Sequence, residues 1–287
     1  MQNKDFKLID LVTYKKSSGF LIGNYKTSFH GTGMEFDDLR QYSIGDDVHS
    51  IDWLSSAKQD KIYIKKYKEE RELPVLFVFA LSSTMQFGYD GITKLDTVIN
   101  TFLPLALSSL KNNNPIGSIF YNDAVIDSFE PKKGQINIYK ILKTLNGFKQ
   151  ENTGKQSNYL SVMEYLFKKK LKNNLIFLFT DETNIEGNTL LKAISIKNDL
   201  IYINISDDFE NTLSGESLIN LSLGNKSLNI NLNNQNKKLN YVRQRNLELE
   251  NLKKIIISSG GSYIGIDNKS NILKILYNFF KLRQKQK

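Results

Sequence analysis

Short, strongly apolar runs alternate with amphipathic stretches beyond residue 74. Three of these runs end directly at hydroxyl or carboxyl residues: Val75–Leu81 before Ser82-Ser83-Thr84, Leu175–Phe179 before Thr180-Asp181, and Leu200–Ile205 before Ser206-Asp207-Asp208. Runs that consist almost entirely of apolar residues are typical of strands that are buried on both faces of a parallel sheet. Because open parallel sheets bind ligands at the carboxyl ends of their strands, the pattern predicts a candidate site at that edge.

The segments between these runs predict the remaining elements of an α/β fold. Helical spacing of apolar residues predicts helices over residues 94–110, 157–171, 187–197, 239–258 and 271–285. Further strands are predicted over residues 117–121, 125–129 and 261–266. Residues 217–223 and 226–231 flank Gly224-Asn225, which predicts a β-hairpin with a type I′ turn.

The first part of the chain does not follow this alternation. We therefore expect an N-terminal extension over residues 1–73, with short strands that include residues 61–67. One α/β domain over residues 74–287 follows, with a hairpin insertion near residues 217–231. A chain of 287 residues, of which 40% are hydrophobic, can bury a substantial core.

Composition narrows the class of protein. There is no cysteine, which excludes disulfide bonds and thiol chemistry. No run approaches the roughly 20 apolar residues of a membrane-spanning helix, and the start lacks the features of a signal peptide. We therefore expect a cytoplasmic protein. Its net charge of +9 permits attraction to acidic partners, anionic lipid or nucleic acid.

The densest charge pattern lies in residues 35–53, EFDDLRQYSIGDDVHSIDW. Acidic residues surround Arg40 there, and six apolar residues could anchor the segment: Leu39, Tyr42, Ile44, Val48, Ile51 and Trp53. Gly45-Asp46-Asp47 predicts a turn, because glycine accepts a positive φ and aspartate side chains bond nearby backbone amides. The spacing lacks the alternating ligands and terminal Glu of an EF-hand, so a packed loop is favoured over a calcium site.

This segment, within GTGMEFDDLRQYSIGDDVHSIDWLSSAK and followed by IYIKKYKEERELPVLFVFALSSTM, resembles the bacterial domain-of-unknown-function 58 proteins. The resemblance implies a three-layer αβα von Willebrand factor A-like (Rossmann-like) domain with a mostly parallel central sheet, plus an N-terminal β-containing extension. We expect the family signature to take part in partner binding. Its candidate residues are Glu35, Arg40, Tyr42, Gly45, Asp46, Asp47, Asp52 and Trp53.

The same resemblance implies a position for a metal-ion-dependent adhesion site. Such domains often hold a divalent ion with Asp-x-Ser-x-Ser after the first strand, a later Thr and a later Asp. Here Ala80 stands at the first Asp, and the remaining positions are Ser82, Thr84, Ser157 and Asp181. Because hard cations prefer anionic oxygen ligands, we expect a degenerate site with weak Mg²⁺ binding or none. A partner that brings its own carboxylate could complete the coordination.

Catalysis has little support in the sequence. The chain has two histidines, His30 and His49, and neither lies in a nucleophile motif. A phosphate-binding loop is absent, and Gly31-Thr32-Gly33 is not followed by the third glycine of a dinucleotide fingerprint. We expect no catalytic residues, no cofactor and no enzymatic activity.

The resemblance also implies a partner. Members are commonly encoded with MoxR-type AAA+ ATPases, so we expect an adaptor or co-chaperone of such an ATPase, and other von Willebrand factor A-like proteins are further candidate partners. The alternative is a basic protein that binds nucleic acid or the membrane surface. Residues 168–172 and 281–287 would supply basic patches, although cations at helix ends also complement the macrodipole. The apolar face of a terminal membrane helix would be Leu273, Ile275, Leu276, Phe279 and Phe280.

Overall fold

The computed structural model describes most of the chain beyond residue 32. The described ranges are residues 33–59, 61–70, 73–149, 155–185, 188–213, 218–223, 226–231 and 234–285. They belong to two compact units, which divide between Leu73 and Pro74.

The larger unit contains a six-stranded sheet. Its strands are β3 (Val75–Ala80), β4 (Ile116–Tyr121), β5 (Val125–Lys132), β6 (Leu175–Thr180), β7 (Asp199–Ser206) and β10 (Ser262–Asp267). They lie in the order β10-β7-β6-β3-β4-β5, and all neighbouring pairs are parallel except β4 and β5, which are antiparallel. Every residue of β3, β4 and β6 is buried, as expected for central strands that are covered on both faces.

Seven helices of the larger unit accompany this sheet in the described residues. They are α2 (Lys94–Lys111), α3 (Ile136–Phe148), α4 (Tyr159–Lys168), α5 (Asn188–Lys197), α6 (Asp208–Thr212), α7 (Gln235–Ser258) and α8 (Ile272–Lys285). Helix α2 contacts α3 and α8, whereas α4 contacts α5, so helices cover both faces of the sheet. The predicted three-layer αβα fold class with a mostly parallel central sheet is therefore confirmed.

Aromatic residues fill the centre of the core. Phe77 and Phe79 of β3 stack on Phe177 and Phe179 of β6, with ring centroids 5.3 and 5.1 Å apart. Phe102 of α2 meets Phe77 edge-on at 4.9 Å. Aromatic pairs at these separations stabilise a core beyond the area that they bury. The central strands are thus held rigidly, and the residues that follow them have fixed positions.

The order of the sheet reverses between β3 and β6. The chain continues from β3 to β4 on one side, while β6 and β7 extend the sheet on the other. In doubly wound sheets, the carboxyl edge at this reversal is where ligands bind. The loops after Ala80 and Thr180 lie at this edge.

Most predicted elements of the larger unit are confirmed within a few residues, but α3 and the short α6 were not predicted. Helix α3 carries a signal in the sequence, because its buried Ile138, Ile141 and Leu145 follow helical spacing. The predicted hairpin is confirmed as β8 (Leu218–Leu223) and β9 (Lys226–Asn231), which pair antiparallel with Leu223 opposite Lys226. Its turn residues, Gly224 and Asn225, lie outside the described residues.

The smaller unit is built on an antiparallel pair, β1 (Gly33–Gln41) and β2 (Tyr63–Glu70). A single 3-10 turn (Val48–Ser50) and helix α1 (Trp53–Gln59) connect the two strands. Ile51 bridges to Ile64 of β2, and both side chains are buried. The strand predicted over residues 61–67 corresponds to β2, while β1 and α1 were not predicted individually.

Candidate functional site

We refer to the carboxyl edge of the sheet between β3 and β6, where the strand order reverses, as the switch-point edge. Three of the four predicted strand-end residues lie together there. Ser82 and Thr84 follow β3, and their hydroxyl oxygens lie 2.7 Å apart in a hydrogen bond. Asp181 follows β6, and its carboxylate accepts a hydrogen bond from the Thr84 side chain. The hydroxyls and the carboxylate therefore bond one another within this cluster.

A lysine that the sequence analysis did not single out completes this cluster. Lys94 is the first residue of α2 and is only 2% exposed. Its Nζ atom donates to Asp181 Oδ2 at 2.7 Å and to Glu210 Oε1 at 2.8 Å. We refer to Lys94, Asp181 and Glu210 as the buried ion cluster.

Lys94 and Asp181, the two most deeply buried members of the buried ion cluster, are both charged. Burial alone would lower the pKa of Lys94, but the carboxylates of Asp181 and Glu210 outweigh it and raise that pKa. Burial opposes ionisation of Asp181 in the same way, but the Lys94 ammonium holds the pKa of that carboxyl below its usual value. Each charge compensates the cost of burying the other.

Glu210 is positioned by a capping box at the start of α6. Asp207 accepts from the Phe209 backbone N–H at 2.8 Å, and Glu210 Oε2 accepts from the Asp207 backbone N–H at 3.2 Å. Asp207 Oδ2 also accepts from Asn268, in the loop after β10, at 2.8 Å. The ends of β7 and β10 are thereby tied to the same edge as those of β3 and β6.

Ser157, the fourth predicted residue, contacts the neighbouring Glu182. Glu182 Oε2 accepts from the Tyr159 backbone N–H at 3.2 Å, while its buried Oε1 atom has no hydrogen-bond partner among the described residues. Burial raises the pKa of Glu182, against the hydrogen bonds from Ser157 and Tyr159. These residues border a groove of about 520 Å³, lined by Asp123, Lys155, Gln156, Ser157, Asn158, Tyr159, Leu160, Glu182 and Asn184.

The residues at this edge do not fit a divalent ion. Ala80 offers no carboxylate, and the carboxylate of Asp181 already bonds the Lys94 ammonium and the Thr84 hydroxyl. In the described part of the chain, no three His, Cys, Asp or Glu side chains are grouped so as to hold a metal ion. A hard cation would have to displace an ammonium from its carboxylate in order to bind here.

In the smaller unit, the predicted turn is confirmed. Gly45 adopts φ of +108°, and the Asp46 backbone N–H bonds the Ser43 carbonyl at 3.0 Å. Arg40 grips Asp46 with both terminal nitrogens, Nη1 to Oδ2 at 2.8 Å and Nη2 to Oδ1 at 2.6 Å. The Arg40 guanidinium lowers the pKa of the Asp46 carboxyl. We refer to residues 40–47 as the clamped turn.

The other acidic residues of the signature also hold backbone. Asp47 accepts from the His49 backbone N–H at 3.0 Å and caps the 3-10 turn. Asp52 accepts from the N–H groups of Leu54 and Ser55 at 3.1 and 3.2 Å, which caps α1. The described carboxylates of Asp46, Asp47 and Asp52 therefore stabilise the local backbone and the helix starts of this segment.

The apolar residues of the signature differ from the sequence-based expectation. Ile51 is buried, but Ile44, Val48 and Trp53 are exposed, so the prediction that all six apolar residues anchor the segment is wrong. A turn followed by short helices has one inward face, and Ile51 occupies it. Tyr42 is half-buried, and its backbone N–H bonds the Ile62 carbonyl at 2.8 Å. Glu35 pairs with Lys68 in the β1–β2 register, and its side chain lies outside the described residues.

Lys94, Glu210 and Glu182 were not predicted as site residues, although the sequence carries a signal for the first two. One signal was available for Lys94. A cation in the first turn of a helix is disfavoured by the macrodipole, so a lysine at that position implies a specific acidic partner. Glu210 stands three residues after Asp207, which is the spacing of a capping box.

Residues 38–249 match the model of a family described as protein of unknown function DUF58. Uncharacterized protein Rv1480 of Mycobacterium tuberculosis and Uncharacterized protein Mb1516 of Mycobacterium bovis are similar over 202 residues, at 21% identity in each case. The match covers 70% of this chain and 64% of each relative. The chain thus spans less than two thirds of the length of these relatives.

Three solved structures are similar to this chain over part of its length. Conserved hypothetical protein BatB of Bacteroides thetaiotaomicron has a TM-score of 0.46 and 15% identity, over 74% of this chain and 99% of its own. An aerotolerance-related membrane protein of Bacteroides fragilis has a TM-score of 0.45 and 13% identity, over 73% of this chain and 99% of its own. Proximal thread matrix protein 1 of the mussel byssus, solved with a zinc-occupied MIDAS motif, has a TM-score of 0.42 and 14% identity, over 74% of this chain and 46% of its own. The zinc is a property of the byssus protein.

Proposed function

This chain belongs to the DUF58 family of proteins of unknown function, and we propose that it is a non-enzymatic protein-interaction module that serves a MoxR-type AAA+ ATPase as adaptor or co-chaperone. Such an ATPase would engage it in the cytoplasm. Other von Willebrand factor A-like proteins are candidate members of the same assembly. The proposal assigns no catalytic residue.

The observation that carries the proposal is a group of four exposed apolar side chains in the signature segment. Ile44, Val48, Trp53 and Leu54 are all exposed within eleven consecutive residues. Large apolar side chains that cluster on a surface mark sites of protein–protein contact, and tryptophan is enriched among the residues that dominate binding energy. We refer to these four residues as the apolar signature surface.

The clamped turn and the caps support the same interpretation. Arg40 with Asp46, and Asp52 with the start of α1, fix the backbone on which the exposed residues stand. A surface that is already ordered loses little conformational entropy when a partner binds. The charged residues of the signature would therefore favour recognition mainly by holding the apolar ones in place.

The groove beside Glu182 is the second candidate contact surface. It lies at the switch-point edge of the sheet, where doubly wound folds bind their ligands. Its lining combines two carboxylates, Asp123 and Glu182, with one lysine, Lys155. This composition suits a polar segment of a protein partner.

Contacts in the basic regions weigh against the alternative of a nucleic-acid or membrane-surface protein. Lys169 bonds Glu130, and Arg283 bonds Asp199 at 2.7 Å, so one cation of each candidate patch already has an acidic partner. Leu276 and Phe280, on the apolar face of α8, are buried in the fold. No helix in the described residues combines the length and apolar character needed to cross a membrane.

The test is a pull-down from native cytosol with the tagged full chain, in the presence of ATP or ADP, followed by identification of the bound proteins. Recovery of an AAA+ ATPase by the wild-type chain is expected. Trp53→Ser should recover at least about tenfold less, because a central tryptophan can contribute more than 2 kcal/mol to binding. Ile136→Ser is the matched control, since Ile136 is 68% exposed and Trp53 is 67% exposed.

Two outcomes would contradict the proposal. If no AAA+ ATPase is recovered with either nucleotide, the partner is wrong. If Trp53→Ser and Ile136→Ser recover the ATPase equally well while both remain folded, the apolar signature surface is not the contact. Recovery of nucleic acid or lipid without an ATPase would favour the basic-surface alternative.

A further inference from the structure

We propose that Lys94 permanently supplies, from within the chain, the positive charge that a divalent ion supplies in domains with a complete metal motif. The site formed by Ser82, Thr84 and Asp181 would then contain its own cation, and it would not bind Mg²⁺ or Mn²⁺. We infer this because the side chains at this edge do not provide the ligands that a divalent ion requires.

The contacts of the ammonium are the first argument. Lys94 Nζ lies 2.7 Å from Asp181 Oδ2 and 2.8 Å from Glu210 Oε1, and the side chains of Lys94 and Asp181 are only 3% and 7% exposed. Asp181 is the remaining carboxylate of the degenerate motif. A divalent ion that needs this carboxylate would compete with a buried, charge-assisted hydrogen bond.

The backbone around Lys94 is the second argument, because it holds the ammonium in place. Thr93 caps α2 in a capping box with Asp96, and the Lys94 backbone N–H bonds the Phe87 carbonyl at 2.8 Å. The Nζ atom also lies 6.0 Å from the centroid of the Phe87 ring. Lysine side chains are usually flexible, but here the helix start and the loop before it fix the side chain from its base.

The charge balance is the third argument. Ala80 offers no carboxylate at the position of the motif's first Asp, and the Lys94 ammonium offsets the charge of Asp181. The one negative charge that remains in the cluster is shared with Glu210, which also bonds Lys94 and whose side chain is 24% exposed to solvent. The buried carboxylate of Asp181 is thus already compensated without a bound cation. The hydroxyls of Ser82 and Thr84 bond each other at 2.7 Å, and as neutral groups they cannot replace the missing carboxylate as ligands of a hard cation.

One consequence concerns partner binding and rests on the proposed function. If the groove beside Glu182 contacts a protein partner, that contact should not depend on divalent ions. The test below measures metal binding by the isolated chain, so its outcome does not depend on whether a partner exists.

The test compares the full-length wild-type chain with Lys94→Ala and with Ala80→Asp/Lys94→Ala. Thermal unfolding is followed in MnCl₂ and in EDTA. The wild-type midpoint should be the same in both. The double variant recovers a carboxylate and loses the ammonium, so Mn²⁺ at about 100 times its Kd should raise its midpoint by about 5 °C. Lys94→Ala alone should show a smaller rise.

Equilibrium dialysis of the wild-type chain against Mn²⁺ keeps the inference testable if the variants fold poorly. No saturable binding is expected, and saturable binding that Asp181→Asn removes would overturn the inference. A double variant that stays folded in EDTA and gains nothing from Mn²⁺ would overturn it as well. A double variant that folds only when Mn²⁺ is present would support it.

Discussion

Each unit contains an ion pair close to a candidate contact region, and the two pairs differ in burial. The pair of Lys94 and Asp181 lies inside the larger unit, with side-chain exposures of 3% and 7%. The pair of Arg40 and Asp46 lies on the smaller unit, with exposures of 47% and 18%. A buried pair is costly to break because the remaining charge stays unsolvated, whereas an exposed pair contributes little net energy. We therefore expect the Lys94–Asp181 pair to stabilise the fold at the switch-point edge. We expect the Arg40–Asp46 pair to fix the conformation of the clamped turn with little effect on stability.

Removing the buried cation should have the largest effect. Lys94→Met leaves the Asp181 carboxylate buried without its ammonium, and Glu210 loses the same partner. We expect the free energy of unfolding at neutral pH to fall by about 3–5 kcal/mol, as measured by urea denaturation followed by circular dichroism. Lys94→Met/Asp181→Asn should recover part of this loss, because it removes the uncompensated charge.

Lys155→Met is the control for that experiment. Lys155 pairs with Asp123 at 3.1 Å, but their side chains are 52% and 60% exposed. Its stability should lie close to that of the wild-type chain. A loss below about 1 kcal/mol in Lys94→Met would mean that the buried ion cluster behaves like an exposed pair, and the contrast between the two regions would then fail.

The second prediction tests the backbone of the clamped turn. Gly45 has φ of +108°, and a Cβ atom added there would meet nothing within 4 Å. Gly45→Ala should therefore cost only backbone strain, about 1–3 kcal/mol. Hydrogen exchange measured by mass spectrometry over residues 33–70 should show faster exchange that is confined to the smaller unit.

Gly147→Ala is the matched glycine substitution in the larger unit. Gly147 lies in α3, where a Cβ atom also meets nothing within 4 Å and the φ angle is not positive. This variant should be more stable than the wild-type chain by about 0.5–1 kcal/mol. Equal effects of the two substitutions would show that the Gly45 conformation is not required.

The third prediction concerns the pH dependence of stability at the groove. Burial raises the pKa of Glu182, so below its ordinary value of about 4 both folded and unfolded chains carry the proton. As the pH rises, the unfolded chain loses the proton first, and the folded state becomes less favoured until the raised pKa is passed. Glu182→Gln should therefore be more stable than the wild-type chain at about pH 7, and the difference should vanish at about pH 4.

The neighbours of Glu182 make this profile simple to interpret. Burial raises the pKa values of Tyr121, Tyr159 and Tyr202, so these side chains are neutral throughout the acid range. Asp181 titrates below its usual value because of Lys94. Urea denaturation of both proteins at several pH values measures the difference, and a stability difference that grows towards low pH would contradict the prediction.

The sequence allowed the fold to be predicted well because its signals are local. Uninterrupted apolar runs, such as Val75–Leu81, identify buried strands, and helical spacing identified α2 within one residue of its observed end. The clamped turn could be predicted from Gly45 and Asp46 for the same reason. Ser82, Thr84 and Asp181 could be placed at one edge because parallel strands end together.

The buried ion cluster could not be predicted because its members are far apart in the sequence. Lys94 contacts residues 87 and 116 positions away. No spacing rule relates them, and only packing of α2 and α6 against the sheet brings them together. Ser157 was placed with Asp181 on the family pattern, whereas its contact is with Glu182. Exposure was equally hard to judge for Ile44 and Trp53, because periodicity does not define an inward face in a turn.

The smallest expected change in stability comes from Arg40→Lys. Lysine keeps the charge, but one ammonium cannot reproduce the two parallel bonds from the guanidinium to both Asp46 oxygens. The urea midpoint of the chain should not change measurably, because exposed pairs contribute little. The Ser43 amide, which bonds Asp46 Oδ2 at 2.8 Å, should nevertheless exchange faster with solvent. If ATPase recovery falls in this variant while the midpoint is unchanged, the clamp supports recognition rather than stability. Unchanged amide exchange and unchanged recovery together would show that the turn keeps its shape without the bidentate pair.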